Sequence, residues 1–553
     1  STYHALANSI LRQDPQSVGL SSHFKVEVSS APLERIGRDV LEALAAEGLT
    51  DVTSLVEGSP RVLLEKISSL KNLSPESFFQ SSTKRKDKSW AIGRAAFMLE
   101  NRLRKRNSIV FDDMLVLALE ILNLKTSTAE WVKGRYRAVF VDEYQDINPT
   151  QLQLLEAHCS PDGALTVVGD DDQCIYEWRG ANPKHLIDFE ERFPQSSTYE
   201  LGWNYRSTDV IVTAADSVIR GVKDRFPKQL TSARGPGPQI EIRLFSTGED
   251  ECSFVEDRVQ ALLRDGVPGN EIAVLARTKA LLQTVAPKLQ AAGVAVRGDA
   301  PLRNVQMKRL VAMLRAVAYG LGDPGFPEAF TLGKRRLRNS AYSRIFSDGR
   351  PSPSDLEQRL REWSGGVQPE DTELQRAWTD ALSFFGSLDS LRRVASQDQY
   401  STVEIVEGIR SAFMSEGCSA IDGLTQDLQT RPIELLLRLA HEQSTLPDLI
   451  DTIDELRALG GDDISDAVSI CTIHRSKGLE FDHVLLVGVQ DDIFPNCKVV
   501  EDLDQDTRLF YVALTRAKQH LTISNHQGER GELECGHFMN QILSQSTVVH
   551  GAD

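Results

Sequence analysis

The stretch Ala138-Val139-Phe140-Val141-Asp142-Glu143 decides the fold of this chain. Its β-branched and aromatic run predicts a short strand, and two adjacent carboxylates follow where that strand ends. In phosphoryl-transfer proteins a carboxylate at this place holds Mg²⁺, and a second one beside it orients or deprotonates water. A strand that merely ends in an acidic surface turn would show the same pattern, so the interpretation needs support from the rest of the chain.

Outward from this stretch, short apolar runs alternate with helical periodicity. Further strands are predicted at Leu165–Val168, Ile240–Leu244, Ile272–Leu275, Val468–Thr472, Val484–Val487 and Leu521–Ser524. Helical patterns lie between them, as at Gln151–Ala157 and Thr507–Lys518. Such alternation is typical of α/β domains with parallel sheets.

Two parts of the chain interrupt this alternation. From about residue 303 to 461 the periodicity is almost entirely helical, and a shorter helical stretch covers residues 24–106. The helices predicted in the longer part are Gln306–Tyr319, Glu373–Val394, Val403–Phe413, Pro432–His441 and Asp448–Leu459. Both parts are therefore predicted to be helical insertions within α/β domains.

Composition narrows the class of protein. The 553 residues carry a net charge of −17, which excludes a generic nucleic-acid coat. Any nucleic-acid partner must be held by a local basic track or by aromatic stacking. The seven cysteines form no CxxC pair, so no zinc site is predicted and free thiols in a reducing cytosol are expected. No apolar stretch is long enough for a bilayer and no signal peptide opens the chain, so we expect a cytoplasmic protein without a membrane partner.

Seven ordered blocks carry a family resemblance. They are Thr2–Leu6, Phe111–Asp113, Asp142–Asp146, Val168–Ala181, Trp203–Ser207, Thr472–Phe481 and Arg508–Lys518. In order and spacing they resemble the motifs of superfamily 1 DNA helicases of the UvrD/Rep/PcrA branch. The resemblance implies an α/β fold with two RecA-like parallel-sheet motor domains, the first incomplete, each with a mainly helical insertion domain.

The resemblance also implies domain limits. The first motor domain would comprise residues 1–23 and 107–202, with its insertion at residues 24–106. The second would comprise residues 203–302 and 462–545, with its insertion at residues 303–461.

Nucleotide roles follow from the same resemblance, with ATP expected between the motor domains. In the first domain, Asp142 would hold Mg²⁺, Glu143 would activate water and Gln173 would sense the γ-phosphate. In the second, Arg206 and Arg516 would contact the γ-phosphate, where a cation stabilises transition-state charge. The remaining expected nucleotide contacts are Tyr205 on adenine and Glu480 near the ribose and triphosphate. Without the resemblance, Arg516 would be better explained as a helix surface charge and Tyr205 as a core aromatic residue.

Binding of single-stranded DNA without sequence preference needs an aromatic side chain that can stack on any base. Trp178 suits this role because it sits among polar and glycine residues and not in an apolar stripe, and Arg179 would hold a phosphate. Family positions near single-stranded DNA are matched by Thr2, His4, Tyr176 and His474. A histidine such as His474 is also common as a purely structural residue.

A basic segment supports DNA binding independently of the family. Residues 84–106 contain nine basic and two acidic residues, a local charge of +9 − 2 = +7 that begins with Lys84, Arg85 and Lys86. This pattern predicts a phosphate track, although a solvated helix face would look similar.

One expected motif is absent from the sequence. No G-x-x-x-x-G-K-[ST] phosphate loop occurs in the 553 residues, and in the family it precedes the block at Thr2–Leu6. Either an upstream segment is missing, which the retained Glu143 and Arg516 favour, or the chain is a catalytically inactive helicase-like DNA-binding or scaffold subunit. We expect ATP and Mg²⁺ as cofactors and this chain alone to be a poor ATP hydrolase.

The resemblance further implies 3′-to-5′ translocation on single-stranded DNA in repair, recombination or replication restart. The expected partners are single-stranded DNA, duplex/single-strand junctions and repair or recombination proteins. The sequence assigns no oligomeric state.

Overall fold

A computed structural model describes most of the chain. The described residues are 1–27, 30–47, 56–73, 88–124, 127–159, 164–299, 305–319, 390–395, 401–414, 436–441, 443–458, 465–491, 493–495, 503–526, 536–543 and 549–551. The chain divides into two compact units: unit 1 comprises residues 1–204, 215–231 and 498–512, and unit 2 comprises residues 205–214, 232–497 and 513–553. Parallel sheets with surrounding helices confirm the predicted α/β fold class. The four domain limits given above remain a prediction.

Unit 1 is mainly helical around short parallel strand pairs. Its helices are α1 (Tyr3–Gln13), α2 (Ser30–Ala46), α3 (Pro60–Leu73), α4 (Lys88–Arg104), α5 (Asp113–Asn123), α6 (Ser127–Gly134), α7 (Pro149–His158), α8 (Lys184–Ile187) and α9 (Phe189–Arg192). Its strands are β1 (Lys25–Glu27), β2 (Ser108–Val110), β3 (Ala138–Val141), β4 (Ala164–Val167) and β5 (Trp203–Asn204). The pairs β1–β2 and β3–β4 are both parallel.

The β3–β4 pair contains the stretch Ala138–Val141 that precedes the two carboxylates. The strands are in register from Ala138 opposite Ala164 to Val141 opposite Val167, so both end at the same edge. Between them, α7 starts at a capping box in which Asn148 and Gln151 bond each other's backbone N–H groups. The returning helix therefore has a fixed start, and the second strand is brought back parallel to the first.

The helices α2, α3 and α4 lie within the predicted first insertion, and a buried lysine joins them to the rest of unit 1. Lys71 of α3 is fully buried and forms ion pairs with Asp113 of α5 and, at 3.1 Å, with Glu100 of α4. Burial opposes the charge on Lys71, but the two carboxylates outweigh it and raise its pKa. A buried charge is tolerated only when it is paired in this way.

Unit 2 is built on one large parallel sheet. Its strands are β7 (Glu241–Phe245), β8 (Ile272–Ala276), β9 (Val296–Gly298), β10 (Val468–Thr472), β11 (Phe481–Val487), β12 (Ala517–His526) and β13 (Val549–Gly551). The spatial order is β13-β7-β12-β11-β8-β10-β9, and every pairing is parallel. All five residues of β8 are buried, as expected of a central strand covered on both faces.

Helices cover this sheet and form the second insertion. The helices that lie within unit 2 are α11 (Gly248–Arg264), α12 (Lys279–Ala291), α13 (Val305–Tyr319), α14 (Thr402–Met414), α15 (Leu446–Ala458), α16 (Ile473–Ser476) and α18 (His537–Leu543). Two further helices, α10 (Asp209–Ile219) and α17 (Leu503–Leu514), and strand β6 (Thr231–Ser232) continue along the chain from one unit into the other. Within the insertion, α13, α14 and α15 share a core that contains Val311, Ile405 and Ile450.

Most predicted elements match the described structure to within a few residues. One boundary was wrong: the helix expected over Thr507–Lys518 ends at Leu514, because Ala517 already pairs with Phe481 in the sheet. The helix predicted over Glu373–Val394 lies almost entirely outside the described residues. Of the helix predicted over Pro432–His441, residues 436–441 are described, and they are helical.

Candidate nucleotide and DNA sites

In unit 1, Asp142 and Glu143 follow β3 directly and are exposed to solvent. Glu143 has a left-handed backbone conformation with φ of 53°, and its N–H donates to Asp142 Oδ1 at 2.9 Å. A non-glycine residue with this conformation costs energy, and such residues concentrate at functional sites. The turn thus aims two carboxylates outward at the end of the strand.

A buried amide, which the sequence analysis missed, holds Glu143 in place. Gln145 is fully buried, and its Nε2 donates to Glu143 Oε2 at 2.5 Å. Its Oε1 accepts the N–H of Asp170 at 2.9 Å, just after β4. A Cβ on Gly169 would lie 2.6 Å from this Oε1, so only glycine allows the approach. One side chain therefore connects the ends of both strands.

Gln173 lies on the same edge of the β3–β4 pair. Its Nε2 donates to Asp170 Oδ2 at 2.7 Å, which fixes the orientation of the amide. Asp170 also accepts from Lys228 Nζ at 2.5 Å. The structure thus brings Glu143 and Gln173 into one hydrogen-bonded group through Gln145 and Asp170.

Three consecutive aspartates in this group resemble a metal site, but two cations form ion pairs with them. The carboxylate oxygens of Asp170, Asp171 and Asp172 lie within 4.8 Å of one another. Lys228 Nζ is 2.5, 2.5 and 3.0 Å from them, and Arg225 Nε donates to Asp172 at 2.8 Å. Burial opposes the charge of Lys228, but the three carboxylates outweigh it and raise its pKa. The cluster is therefore a buried ion-pair network. No sequence signal pointed to Lys228 or Arg225.

The predicted stacking residue lies on a short exposed turn. Trp178 is 60% exposed in the 3₁₀ turn Glu177–Arg179, which Gly180 ends with a φ of 90°. The Arg179 guanidinium lies 4.6 Å from the Trp178 ring centroid and 5.6 Å from that of Tyr176. Burial raises the pKa of Tyr176, so its phenol stays neutral at physiological pH. The three predicted DNA-binding residues of this block therefore form one contiguous group.

The block at the start of the chain has structural contacts as well. Thr2 caps α1 by accepting the N–H of Ala5 at 3.2 Å. The His4 ring stacks on Phe111, with centroids 3.8 Å apart and an interplanar angle of 24°. Burial lowers the pKa of His4, with Asp112 opposing it, so the ring is mostly neutral at pH 7.

Three arginines in the described part of the basic segment form contacts within unit 1. Arg94 pairs with Glu47 at 3.3 Å, and Arg104 donates to the carbonyl of Val18 at 2.8 Å. Arg102 donates to two further backbone carbonyls. Residues 84–86, with which the predicted track begins, lie outside the described residues.

In unit 2, the predicted nucleotide residues converge on one corner. Arg206 Nε forms an ion pair with Glu480 Oε2 at 2.7 Å, and this hydrogen bond lowers the pKa of Glu480. Arg206 Nη1 reaches the carbonyl of Thr515 at 3.5 Å. Tyr205 beside it is 74% exposed. These contacts place an exposed ring next to a paired arginine.

Arg516 lies at the same corner but is buried. It is 1% exposed, and it donates to the carbonyl of Leu479 at 3.0 Å and to Thr515 Oγ1 at 3.2 Å. Arg206 and Arg516 therefore meet at Thr515. His474 is half-buried in α16, directly after β10.

The two carboxylates and the glutamine in unit 1, and separately the clustered arginines in unit 2, are residue types that motor-type nucleotide-binding proteins use. Residues 1–194 match the family model described as UvrD/REP helicase N-terminal domain, and residues 199–318 and 436–528 match UvrD-like helicase C-terminal domain. The chain belongs to the UvrD/PcrA-type family of superfamily 1 helicases.

Curated relatives agree over nearly the whole chain. A protein named ATP-dependent DNA helicase PcrA from Staphylococcus epidermidis is 26% identical over 546 residues, which are 95% of this chain and 72% of the relative. The protein of the same name from Leuconostoc citreum is 28% identical over 550 residues, covering 95% and 71%. The one from Staphylococcus aureus is 25% identical, covering 95% and 72%.

Among the described residues, no helix is both long and apolar enough to span a bilayer.

Proposed function

We propose that this chain forms the motor of an ATP-dependent DNA helicase that translocates 3′ to 5′ along single-stranded DNA. The observation that carries the proposal is the group in which buried Gln145 joins Glu143 to Asp170 and Gln173 at the ends of β3 and β4. The relatives named ATP-dependent DNA helicase PcrA support it over 95% of the chain. A cytoplasmic role in repair, recombination or replication restart follows from the family resemblance.

The chemistry assigned to unit 1 is water activation. Asp142 fits a magnesium site because it offers an exposed carboxylate, the ligand type that this cation prefers. Bound there, Mg²⁺ would neutralise phosphate charge. Gln145 holds Glu143 in position, and Glu143 accepts a proton from the attacking water. Gln173 contacts the γ-phosphate and its water.

The chemistry assigned to unit 2 is charge stabilisation. Arg206 and Arg516 act on the γ-phosphate, where an arginine typically contributes ~10³–10⁵ in rate. Arg206 is paired with Glu480 here. When ATP binds, its guanidinium must therefore leave that carboxylate or contact the carboxylate and the phosphate together. Tyr205, with its exposed ring, stacks on adenine.

DNA binding is assigned to the exposed aromatic turn. Trp178 stacks on a base and Arg179, which covers its ring here, moves to a phosphate. Duplex/single-strand junctions and repair or recombination proteins are the proposed partners.

A second candidate function is a catalytically inactive helicase-like subunit that binds DNA or acts as a scaffold. The observation that favours it is the missing G-x-x-x-x-G-K-[ST] sequence in the 553 residues. The retained Glu143, Gln173, Arg206 and Arg516 count against it.

The test is DNA-stimulated ATP hydrolysis by this chain, side by side with a version extended upstream to the native start codon. Hydrolysis by the extended version alone supports the motor, and its loss in Glu143→Gln of that version would tie it to this site. If neither version hydrolyses ATP but both bind single-stranded DNA, the inactive subunit is the better reading.

A further inference from the structure

Arg508 is a buried charge whose contacts lie in unit 1. It is 3% exposed, and its Nη1 donates to Glu177 Oε1 at 3.2 Å while its Nη2 donates to the carbonyl of Asp224 at 2.7 Å. Its Nε is buried without a hydrogen-bond partner among the described residues. A buried guanidinium is costly unless it is paired, so Arg508 depends on the Glu177 carboxylate and the Asp224 carbonyl as partners.

Glu177 is the first residue of the turn that presents Trp178. Because Trp178 is 60% exposed, burial of its own ring does not fix its position. The backbone of the turn does, through the N–H of Gly180 donating to the carbonyl of Glu177 at 2.8 Å. An anchor on the Glu177 side chain therefore sets where the indole ring points.

Arg508 Nη2 donates to the segment that contains Asp224 and Arg225. This segment also contacts residues 170–172, which precede the Trp178 turn. Asp224, whose carbonyl accepts from Arg508, directly precedes Arg225, which donates to Asp172 at 2.8 Å. Residues 170–179 are thus held at their start by Arg225 and at their end by Arg508. The buried Arg508 and the partly buried Arg225 therefore hold this segment at its two ends.

We propose that Arg508 is a positioning residue for single-stranded DNA: its ion pair with Glu177 holds the Trp178 turn in the orientation that stacks on a base. The inference rests on the proposed DNA-binding role of Trp178. Arg508 itself does not touch DNA in this scheme, since its side chain is 4% exposed.

The experiment measures the affinity of this chain for a fluorescently labelled oligothymidine by anisotropy at one fixed salt concentration. Arg508→Met preserves volume and leaves the half-exposed Glu177 able to hydrate. We expect it to weaken binding about three- to tenfold, less than Trp178→Ala, because the ring remains but is misplaced. Arg220→Met, which removes a 67% exposed arginine of an i,i+4 pair, is the control and should leave affinity unchanged.

Two further variants separate positioning from charge and from general damage. Glu177→Gln removes a negative charge, so a purely electrostatic effect would strengthen DNA binding, whereas loss of the anchor weakens it. Glu177→Gln also tests the positioning role of the ion pair if Arg508→Met fails to fold. The double variant Arg508→Met with Trp178→Ala should bind the oligothymidine as tightly as Trp178→Ala alone, since Arg508 acts through that ring.

The outcomes are distinct. If Trp178→Ala weakens binding but Glu177→Gln strengthens it, or the losses from Arg508→Met and Trp178→Ala add up, the positioning role is overturned and the proposed function stands. If Trp178→Ala leaves affinity unchanged, both the DNA role of Trp178 and the inference are overturned. Weakening by both Arg508→Met and Glu177→Gln, absent in the Trp178→Ala background, supports the inference.

Discussion

The side-chain amide of Gln145 donates a 2.5 Å hydrogen bond to the carboxylate of Glu143, and its oxygen accepts the N–H of Asp170 at 2.9 Å. Both strand ends of the first motor sheet are therefore tied through one buried side chain. Glu143 holds a strained left-handed backbone conformation, so this contact helps to determine where its carboxylate points.

The first prediction concerns that amide. Gln145→Leu keeps the volume but removes both hydrogen bonds. In the upstream-extended version we expect kcat for ATP hydrolysis to fall about 10–100-fold with a smaller change in KM, because a misplaced catalytic group costs rate more than binding. Steady-state kinetics checks this. Gln151→Ala removes a glutamine that only caps α7, and it should retain kcat. Equal kcat values in the two variants would contradict the positioning of Glu143.

The second prediction concerns the close approach at Gly169. In Gly169→Ala the new Cβ would lie 2.6 Å from Gln145 Oε1, and we expect a loss of about 1–3 kcal/mol in the free energy of unfolding. Urea denaturation measures it. Gly221→Ala is the control, since its Cβ would meet nothing closer than 3.8 Å. A stability loss no larger than that of the control would mean that the loop yields easily.

The third prediction concerns the buried arginine of unit 2. Arg516→Ala should abolish ATP hydrolysis by the upstream-extended version while leaving binding to single-stranded DNA largely intact. Because Arg516 is 1% exposed and donates to Leu479 and Thr515, some stability will also be lost, so a melting curve accompanies the assay. Hydrolysis near the wild-type rate in a folded variant would show that Arg516 is only structural.

The fourth prediction concerns the aromatic turn. Trp178→Ala should weaken binding of single-stranded DNA by about 5–150-fold, the equivalent of the ~1–3 kcal/mol that one stacked base contributes. The matched control is Trp131→Ala, which removes another exposed tryptophan with an arginine, Arg135, 4.5 Å from its ring centroid. Equal losses in the two variants would return Trp178 to a packing role.

The fifth prediction concerns a histidine pair on the sheet of unit 2. His483 and His520 stack on adjacent strands with ring centroids 4.3 Å apart. Burial and the charge of His520 lower the pKa of His483 from 6.5 to about 4, with Asp482 opposing, and burial and Arg258 lower that of His520. The unfolded chain binds the proton more tightly, so the pair's full contribution to stability is present above pH 6.5.

That contribution should be lost as the pH falls from 6.5 through 4. Urea unfolding at pH 7.5, 6 and 5 checks it. His483→Gln should flatten the pH dependence, whereas His23→Gln, which removes an exposed histidine of unit 1, should not. An unchanged slope in His483→Gln would show that this pair does not control acid stability.

Local sequence signals were sufficient for most of the described elements, whereas the site residues remain a prediction. Val468–Thr472 is a strand with the bounds that were predicted, because a short β-branched run between helical patterns has few other readings. The helix end near Arg516 was misjudged, since periodicity does not register the strand pairing that starts at Ala517.

The connecting side chains could not be read from the sequence. Gln145, Lys228 and Arg508 have no periodicity or motif signal of their own. Lys228 reaches three carboxylates that lie more than fifty positions earlier in the chain. Such contacts form only when the chain has folded back.

The sequence by itself determined the family, the two α/β motors and the residues Asp142, Glu143, Gln173, Arg206 and Arg516 as chemical candidates, because ordered blocks and strand periodicity are local properties of the chain. Only the tertiary structure decided which groups hold them: Gln145 fixes Glu143, Asp170 fixes Gln173 and Arg508 reaches the Trp178 turn. Burial raises the cost of an unpaired polar group, and it is this cost, absent in the linear sequence, that selects those partners.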